Sequence, residues 1–593
     1  MNLNKDTILT ELNKINDYSI PNESYSPFYS NIGLVIKEET EGAGTLFLHY
    51  NRNTRAVWQS LIDFPLKLNR EKSLVNLLVF GDCDRTAQLA FFDTDAFLFE
   101  AKGMENIGLF RTPDATVLDH WTEDFSKKEV LVRGLSRNGD DRDPDTTVPF
   151  AVSIKMLKGS LIAEQGNITA KADENGTTRF AFVFKVLDVS ADDMAGTMKK
   201  APTDVNVAAE MCKEDILSCV KDLNIPHTSD PEREMIARAL HGLLFNLAKA
   251  PGNLREHISS YPNRGRYPTH YLWDSCFQNL AYEEFSTELA EEFLMQLIKN
   301  QRSDGKIIHF LCSTWQRPHH SQPPLVGWAG LRLYQKAGSK EFLKTLFVSM
   351  EKNNTWWLTQ RMTSYGILSC NDGLETGQDN SPRFDDGPTL ACDMNSYLLK
   401  QLYITSELAS LLGLPSKAEE WRTEAERLGK KMLEVLYNKE DNLFYDVNTA
   451  TGEMIKIVTP CCLMPLWAGI DMDADLKKNM IEKYLIHSRY LFGDIPFPSV
   501  AYGEAKYEED NWWRGSTWLS EAWVMLEILS EFGYEKEYET AVTRFYHMLL
   551  KDPHMHELFN SRTGEGLGSA EQGWTCAIFI KLCLIMRERN LLK

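Results

Sequence analysis

Five stretches of the chain set aromatic residues or histidine beside carboxylates, amides or arginine: YPTHYLWDSCFQ (267–278), HHSQPPLVGW (319–328), CNDGLETGQDNSPRFDDG (370–387), YEEDNWWRGSTW (507–518) and HMHELFNSRTGEGLG (554–568). Such residues suit a sugar, whose ring has an apolar face for an indole and a rim of hydroxyls for carboxylate, amide and guanidinium groups. Trp273-Asp274, Trp513-Arg514 and Gln322 have that chemistry. Cleaving a sugar by acid and base needs two carboxyls of different proton affinity across a gap. The densest acidic loop offers Glu375, Asp379, Asp385 and Asp386. A carboxyl crowded by like charge and walled by aromatics keeps its proton to higher pH, so one of them suits a general acid. Glu557, Glu565 and Glu571 near the carboxyl end are candidates for a base. Residue type alone does not choose among the seven.

The elements that must position these loops change character near residue 225. Before it, short apolar or alternating runs dominate, among them NIGLVIKEE (31–39), GTLFLHY (44–50), LVNLLVF (74–80), AQLAFFD (87–93), AFLFEAKG (96–103), VLVRGLS (130–136), FAVSIKML (150–157) and RFAFVFKVLDV (179–189). Turn chemistry separates them, with Asn175-Gly176 suiting a tight hairpin and GDDRDPDT (139–146) a solvated loop. Many short strands without long helices between them imply an antiparallel β-sandwich over residues 1–202. A periodic segment, 203–229, reads as a helical linker.

From Asp230 onward the apolar period becomes 3.6. Helical segments are expected at 231–249, 274–285, 287–300, 324–337, 340–361, 389–412, 416–437, 461–469, 473–485, 516–532, 535–550 and 570–588. The long loops fall on alternate junctions, and they are the five stretches above. Twelve helices paired this way can close into six concentric hairpins, an (α/α)6 barrel, or stay open as a superhelix. The fold class is therefore α+β multidomain, with the helical domain spanning 230–593.

ETGQDNSPRFD, NWWRGSTW and HELFNSRTGEGLG followed by GWT resemble, in order and spacing, the motifs of the (α/α)6 inverting glycosidases related to glycoside hydrolase family 63. Those include processing α-glucosidase I, the mannosylglycerate and glucosylglycerate hydrolases and, more distantly, the trehalases. The resemblance covers roughly 230–590 and implies a closed barrel and an inverting, exo-acting α-glycosidase of α-glucosidase type. It assigns the general acid to Asp379 and the base to Glu557, and carries Trp273-Asp274 and Gln322-Pro323-Pro324 to the sugar subsite. The chain departs from the pattern at Thr376, where the family has Ser, at Ser516 for Pro, at Ser561-Arg562 for Pro-x, and at Leu558, where an aromatic is common. Tyr271, Trp273, Asp274, Gln322, Glu375, Asn380, Arg383, Trp513, Arg514, Trp518 and Trp574 are the expected substrate-binding residues.

Other functions are weighed against this one. The formal charge is −20, with 64 Lys+Arg against 84 Asp+Glu, and no basic run offers a phosphate-binding stripe, so nucleic acid is not an expected partner. No apolar run approaches the roughly 20 residues of a membrane span. The start, MNLNKDTILTELNKIND, has no continuous apolar core, and the 11 cysteines include no C-x-x-C pair. A cytoplasmic protein with reduced thiols is expected. His554-Met555-His556-Glu557 lacks the second histidine of H-E-x-x-H, and no D-x-D-x-D-G loop occurs, so no metal and no cofactor are expected. His319-His320 suits either a pocket rim or an exposed position. The expected partner is a small carbohydrate, a short oligosaccharide or a glycosyl-glycerate. The competing readings are a glycoside phosphorylase or sugar isomerase on the same barrel, or a carbohydrate-binding protein without catalysis.

Overall fold

Strands such as AFLFEAK are apolar at consecutive positions because their sheet is covered on both faces. In the computed structural model, which describes residues 2–14, 32–38, 44–50, 59–64, 66, 69, 72–81, 84–111, 118–137, 147–164, 167–187, 189–227, 229–313 and 320–592, fifteen strands precede the helical half. They are β1 (Asn2–Asn4), β2 (Ile32–Glu38), β3 (Gly44–Tyr50), β4 (Gln59–Phe64), β5 (Leu78–Gly81), β6 (Thr86–Asp93), β7 (Ala96–Lys102), β8 (Asn106–Arg111), β9 (Leu118–Phe125), β10 (Glu129–Arg137), β11 (Thr147–Lys158), β12 (Ser160–Glu164), β13 (Asn167–Lys171), β14 (Thr177–Val186) and β15 (Asn224–Pro226). One antiparallel sheet has seven strands in the order β5-β6-β7-β14-β11-β10-β9, and a second has six, β12-β13-β8-β4-β3-β2.

Alternation along the seven-stranded sheet sorts its side chains between two cores. Phe97, Phe99, Phe180 and Phe182 join the main core, with Phe97 stacked on Phe182 at 4.7 Å and Phe99 on Phe180 at 5.1 Å. Their neighbours Ala96, Leu98, Ala181 and Val183 face the other way, under Met194, Met198, Val205 and Ala208 of two helices, α2 (Ala191–Met198) and α3 (Val205–Cys219). The segment expected to be a linker is therefore a lid on the sheet: α3 packs on β6 and β7, and only its C-terminal side hands the chain onward through β15. The first helix, α1 (Lys5–Lys14), packs on the helical half instead, and β1 pairs with β15.

Asn175-Gly176 does make a tight turn, with Gly176 at φ 69° and the Asp173 carboxylate accepting from the Asn175 and Thr177 N–H groups. It does not close a hairpin within one sheet. β13 pairs with β12 and β8 while β14 pairs with β7 and β11, so the turn carries the chain from one sheet to the other. The expected loop 139–146 lies outside the described residues, as does His319.

The helices after residue 229 follow the expected order: α4 (Asp230–Phe245), α5 (Leu272–Phe285), α6 (Thr287–Lys299), α7 (Val326–Ala337), α8 (Lys340–Gln360), α9 (Cys392–Leu411), α10 (Pro415–Val435), α11 (Met464–Trp467), α12 (Ala474–Met480), α13 (Leu519–Glu531), α14 (Glu535–Leu549) and α15 (Gly573–Glu588). Two are shorter than expected, because 460–463 wind as a 3-10 turn ahead of α11 and 481–485 as a π turn after α12. Alternate members form an inner ring. α5 touches α7, α7 touches α9, and the series runs through α11 and α13 to α15, which packs back on α5. That last contact closes the barrel.

The ring position of each helix follows from its residue pattern. In α5 almost every side chain is buried, as an inner helix flanked on all sides requires. In the outer α10 the buried residues are Trp421, Ala425, Leu428, Gly429 and Met432, a single stripe, with charged residues over the rest.

Candidate active site

Each inner helix begins where a long loop ends, so the loops before α5, α7, α9, α13 and α15 gather at one mouth. Helix N-termini carry unpaired N–H groups and positive partial charge, which suits a site built around carboxylates and oxygen-rich ligands. A pocket opens there, and its lining comes from all five loops.

Nine of the thirteen residues expected from sequence line it: Tyr271, Trp273, Asp274, Gln322, Asp379, Trp513, Trp518, Glu557 and Trp574. Trp273 and Asp274 sit in the first turn of α5, Trp574 in the first turn of α15. The indoles interlock. Trp513 stacks on Trp518 at 3.9 Å with an interplanar angle of 5°, and Trp273 and Trp574 meet edge-on at 5.9 Å. Gln322 Oε1 accepts from the Trp273 backbone N–H at 3.1 Å and so fixes the start of α5. Gly377 is at φ 78° with a hypothetical Cβ only 2.6 Å from the Trp273 ring, so glycine is what lets the Asp379 loop lie against that indole.

Asp379 and Glu557, 178 positions apart by subtraction, line the same pocket. Asp379 is exposed at the rim, and Glu557 is only 3% exposed. Tyr267 donates its hydroxyl to Glu557 Oε1 at 3.0 Å, and the Ser569 N–H and Oγ donate to Oε2 at 3.0 and 3.2 Å. Burial pushes the Glu557 carboxyl above its ordinary range, while these donors and the Arg266 charge, 3.8 Å from Oε2, pull the other way. Asp274 is held well above the usual carboxylate range, first by burial and then by the neighbouring Glu557.

Four expected substrate contacts are elsewhere, because their charges or amides are already engaged. Glu375 is gripped by both arms of Arg361 at 2.9 Å each and by the Asn371 N–H. Arg383 is 1% exposed and spans Asp393, at 2.6 and 3.0 Å, and Asp446, at 2.5 Å, with the Gln378 side chain at 2.8 Å. Arg514 forks onto Asp385 at 3.0 and 3.1 Å and reaches Glu508 at 3.0 Å. Asn380 accepts from the Trp513 N–H at 2.9 Å and donates to Asn511. These residues tie the acidic loop to its neighbours and do not line the pocket.

Among the other carboxylates weighed, Asp385 is held below its ordinary range, first by its bond from Arg514 and also by Lys506. Glu571 pairs with His241 at 2.8 Å, and Glu565 is exposed outside the pocket. His556 pairs with Asp552 at 2.7 Å, and the described residues contain no group of three or more His, Cys, Asp or Glu placed to hold a metal ion. No helix among the described residues is long and apolar enough to cross a membrane.

The pocket also holds residues the sequence reading did not single out: Tyr267, His309, Trp512 and Gln572. Tyr267 and Trp512 stood inside the aromatic stretches and could have been found there. Gln572 is fully buried, and its Oε1 lies 3.0 Å from the Ser569 hydroxyl, whose single proton it shares with Glu557 Oε2, while its Nε2 has no hydrogen-bond partner. An unpaired buried amide facing a pocket is suited to a ligand hydroxyl or water. His320 is not one of the lining residues, and its ring is 6.3 Å from that of His309, which is.

Residues 267–575 match the family model described as the mannosylglycerate hydrolase MGH1-like glycoside hydrolase domain. The chain is similar to mannosylglycerate hydrolase MGH1 of Selaginella moellendorffii, 24% identical over 398 residues, which cover 54% of this chain and 80% of that protein. It is also similar to the mannosylglycerate hydrolase of Thermus thermophilus, 22% identical over 403 residues, covering 54% of this chain and 94% of the other. Among solved structures, the family 63 mannosylglycerate hydrolase from Thermus thermophilus in complex with glucose superposes with a TM-score of 0.51 at 22% identity, over 59% of this chain and all of that one. At that identity the superposition speaks for the fold.

Proposed function

This chain belongs to the mannosylglycerate hydrolase MGH1-like glycoside hydrolases and is a glycoside hydrolase related to family 63, and from that premise we propose that it hydrolyses a small α-glycoside, of glycosyl-glycerate type, with inversion. Asp379 is the general acid and Glu557 the general base. The observation that carries this reading is the meeting of these two carboxylates, from separate loops, in one tryptophan-walled pocket.

The sugar ring enters the deep part of the pocket, against Trp273, Trp513, Trp518 and Trp574, and its glycosidic oxygen stays toward the rim, where Asp379 stands. Asp379 gives that oxygen a proton as the bond to the anomeric carbon breaks. Glu557 takes a proton from a water that attacks the same carbon from the opposite face, and the product forms with inverted configuration. A base must be ionised when the water attacks. The donors on both Glu557 oxygens, from Tyr267 and Ser569, stabilise its carboxylate against the cost of burial. Asp274, kept protonated to higher pH by burial and by Glu557, donates to a sugar hydroxyl, and Gln572 Nε2 takes another polar atom of the ligand. The two amino-terminal sheets act as a β-sandwich scaffold against the barrel.

The test is replacement of each carboxyl by its amide. D379N and E557Q each lower turnover by about 10³-fold or more, on the scale of lost general acid–base catalysis, with the folded content by circular dichroism unchanged. A variant that keeps near-normal turnover on the preferred substrate removes its residue from the mechanism.

A further inference from the structure

Arg266 stands at the rim of the pocket with a charge that its protein contacts leave partly unspent. Its guanidinium lies 5.0 Å from the Trp512 ring centroid and 5.4 Å from that of Tyr267, two rings that line the pocket. Nearly half of the side chain is exposed, at 48%, while the nearby Glu557 is almost fully buried. Its ion contact to Glu557 Oε2, at 3.8 Å, is longer than a hydrogen bond, so the planar fork of N–H groups is not committed to that carboxylate.

The backbone that presents it is fixed. Asn263 Oδ1 accepts from the Arg266 N–H at 2.7 Å, the Tyr267 N–H donates to the Asn263 carbonyl at 2.8 Å, and Asn263 Nδ2 donates to the Ala570 carbonyl beside Gln572. The turn 263–267 is thus tied to the segment that carries the pocket's deep amide. Two aromatic faces narrow the rotamers open to the guanidinium without consuming its donors.

The rest of the pocket's charge makes this cation matter. Asp274 and Asp379 hold protons in the proposed mechanism, but Glu557 lines the pocket as a carboxylate and no lysine or arginine is among the lining residues, so a ligand carrying a carboxylate meets like charge on entry with nothing in the lining to offset it. A sugar that occupies the deep, tryptophan-walled part leaves its aglycone at the rim, where Tyr267, Trp512 and Asp379 are partly exposed. We propose that Arg266 binds the carboxylate of an anionic aglycone there, making it the residue that sets preference for a glycosyl-glycerate over the same sugar on a neutral polyol. The inference rests on the reading of this pocket as a glycosidase site. A forked guanidinium pairs a carboxylate through two parallel N–H···O bonds, which a point charge does not reproduce.

The experiment compares wild type, R266Q and R266K on α-glucosyl- and α-mannosyl-glycerate against the matching glycosyl-glycerols, with D-glycerate and glycerol binding measured in parallel by tryptophan fluorescence. In wild type the anionic member of each pair has the higher kcat/KM. In R266Q the ratio of anionic to neutral kcat/KM falls by about 10- to 100-fold, mostly through KM, and R266K recovers part of it. D-glycerate affinity falls in the same order. An unchanged ratio in R266Q overturns the proposal, and so does a wild type that prefers the neutral substrates. Equal loss on both substrates, with a displaced acid limb of the pH profile, also overturns it, because Arg266 would then act through Glu557. Glycerate binding that depends on Arg266 in a protein that cleaves neither pair supports Arg266 as the carboxylate site and removes the proposed glucosyl- or mannosyl-glycerate substrate instead.

Discussion

At the scale of single residues, Glu557 is where opposing effects can be separated. Burial raises its proton affinity, and the Tyr267 hydroxyl, the Ser569 donors and Arg266 lower it. Replacing Tyr267 with Phe removes a donor that favours the ionised form, so the folded-state pKa rises further. The base is active only when ionised, and kcat/KM falls as pH drops through that pKa. Y267F therefore moves the acid limb of the kcat/KM profile to higher pH, while plateau kcat changes by less than about tenfold. A limb that stays in place, or moves to lower pH, contradicts the assignment of Tyr267 as a donor to an ionised base.

The same scale shows what the residue types revealed. The tryptophans were legible because indoles are unusual in loops, whereas Asp379 and Glu557 stood out from the other five loop carboxylates only through the resemblance of their motifs. Arg383, Arg514 and Glu375 were misplaced because a sequence shows a charge and not its partner. Asp446 lies 63 positions beyond Arg383, and Arg514 finds Asp385 across 129. Gln572 carried no signal of its own beyond standing next to Gly573-Trp574.

At the scale of elements, the acidic loop between α8 and α9 is clamped from beneath. Arg383 joins that loop to α9 through Asp393, to the 446–448 strand through Asp446, and to Gln378, the residue before Asp379. Breaking a buried ion pair leaves its partners charged and unpaired, at a cost of about 3–5 kcal/mol. R383M is expected to lower stability by that order in chemical denaturation. Its kcat should suffer through a displaced Asp379, and KM little, because Arg383 does not line the pocket. A large rise in KM at unchanged stability would return Arg383 to the substrate. G377A is the companion test, since its Cβ would press on Trp273 from a left-handed backbone, and it should lower kcat/KM by about 10- to 100-fold.

The helices of the barrel were legible because a 3.6 period repeated over several turns is a strong pattern. The amino-terminal half was less so. β9, LDHWTEDF, and β13, NITAK, are polar or short, and only their sheet neighbours make them strands. The turn at Asn175-Gly176 was legible as a turn, but the sheet each flanking strand joins is a long-range choice that local residues do not encode.

For the whole molecule, closure is the property that gives the site its function. A superhelix would spread the five loops along an edge, and α15 packing on α5 brings them to one mouth. The sequence could not decide closure from periodicity, because inner and outer helices alternate in both assemblies. The amino-terminal sheets belong to the same energetic unit, since one continuous apolar core contains Phe97, Phe99 and Phe180 together with Leu243, Leu244 and Phe277 of the barrel. Exposing such a face costs about 25 cal/mol per Å² of apolar surface. Residues 230–593 expressed alone should therefore show a lower Tm and poorer solubility than the full chain. A fragment as stable and soluble as the whole would show that the two halves are energetically independent.

The most direct test of an acid and a base facing each other across an attacking water is the configuration of the first product. Proton NMR during cleavage of an α-glycoside, before mutarotation, should show the β-anomer of the released sugar appearing first in wild type, and no such signal at matched times in D379N or E557Q. An α-anomer formed first would mean retention, and would contradict the pairing of Asp379 as acid with Glu557 as base.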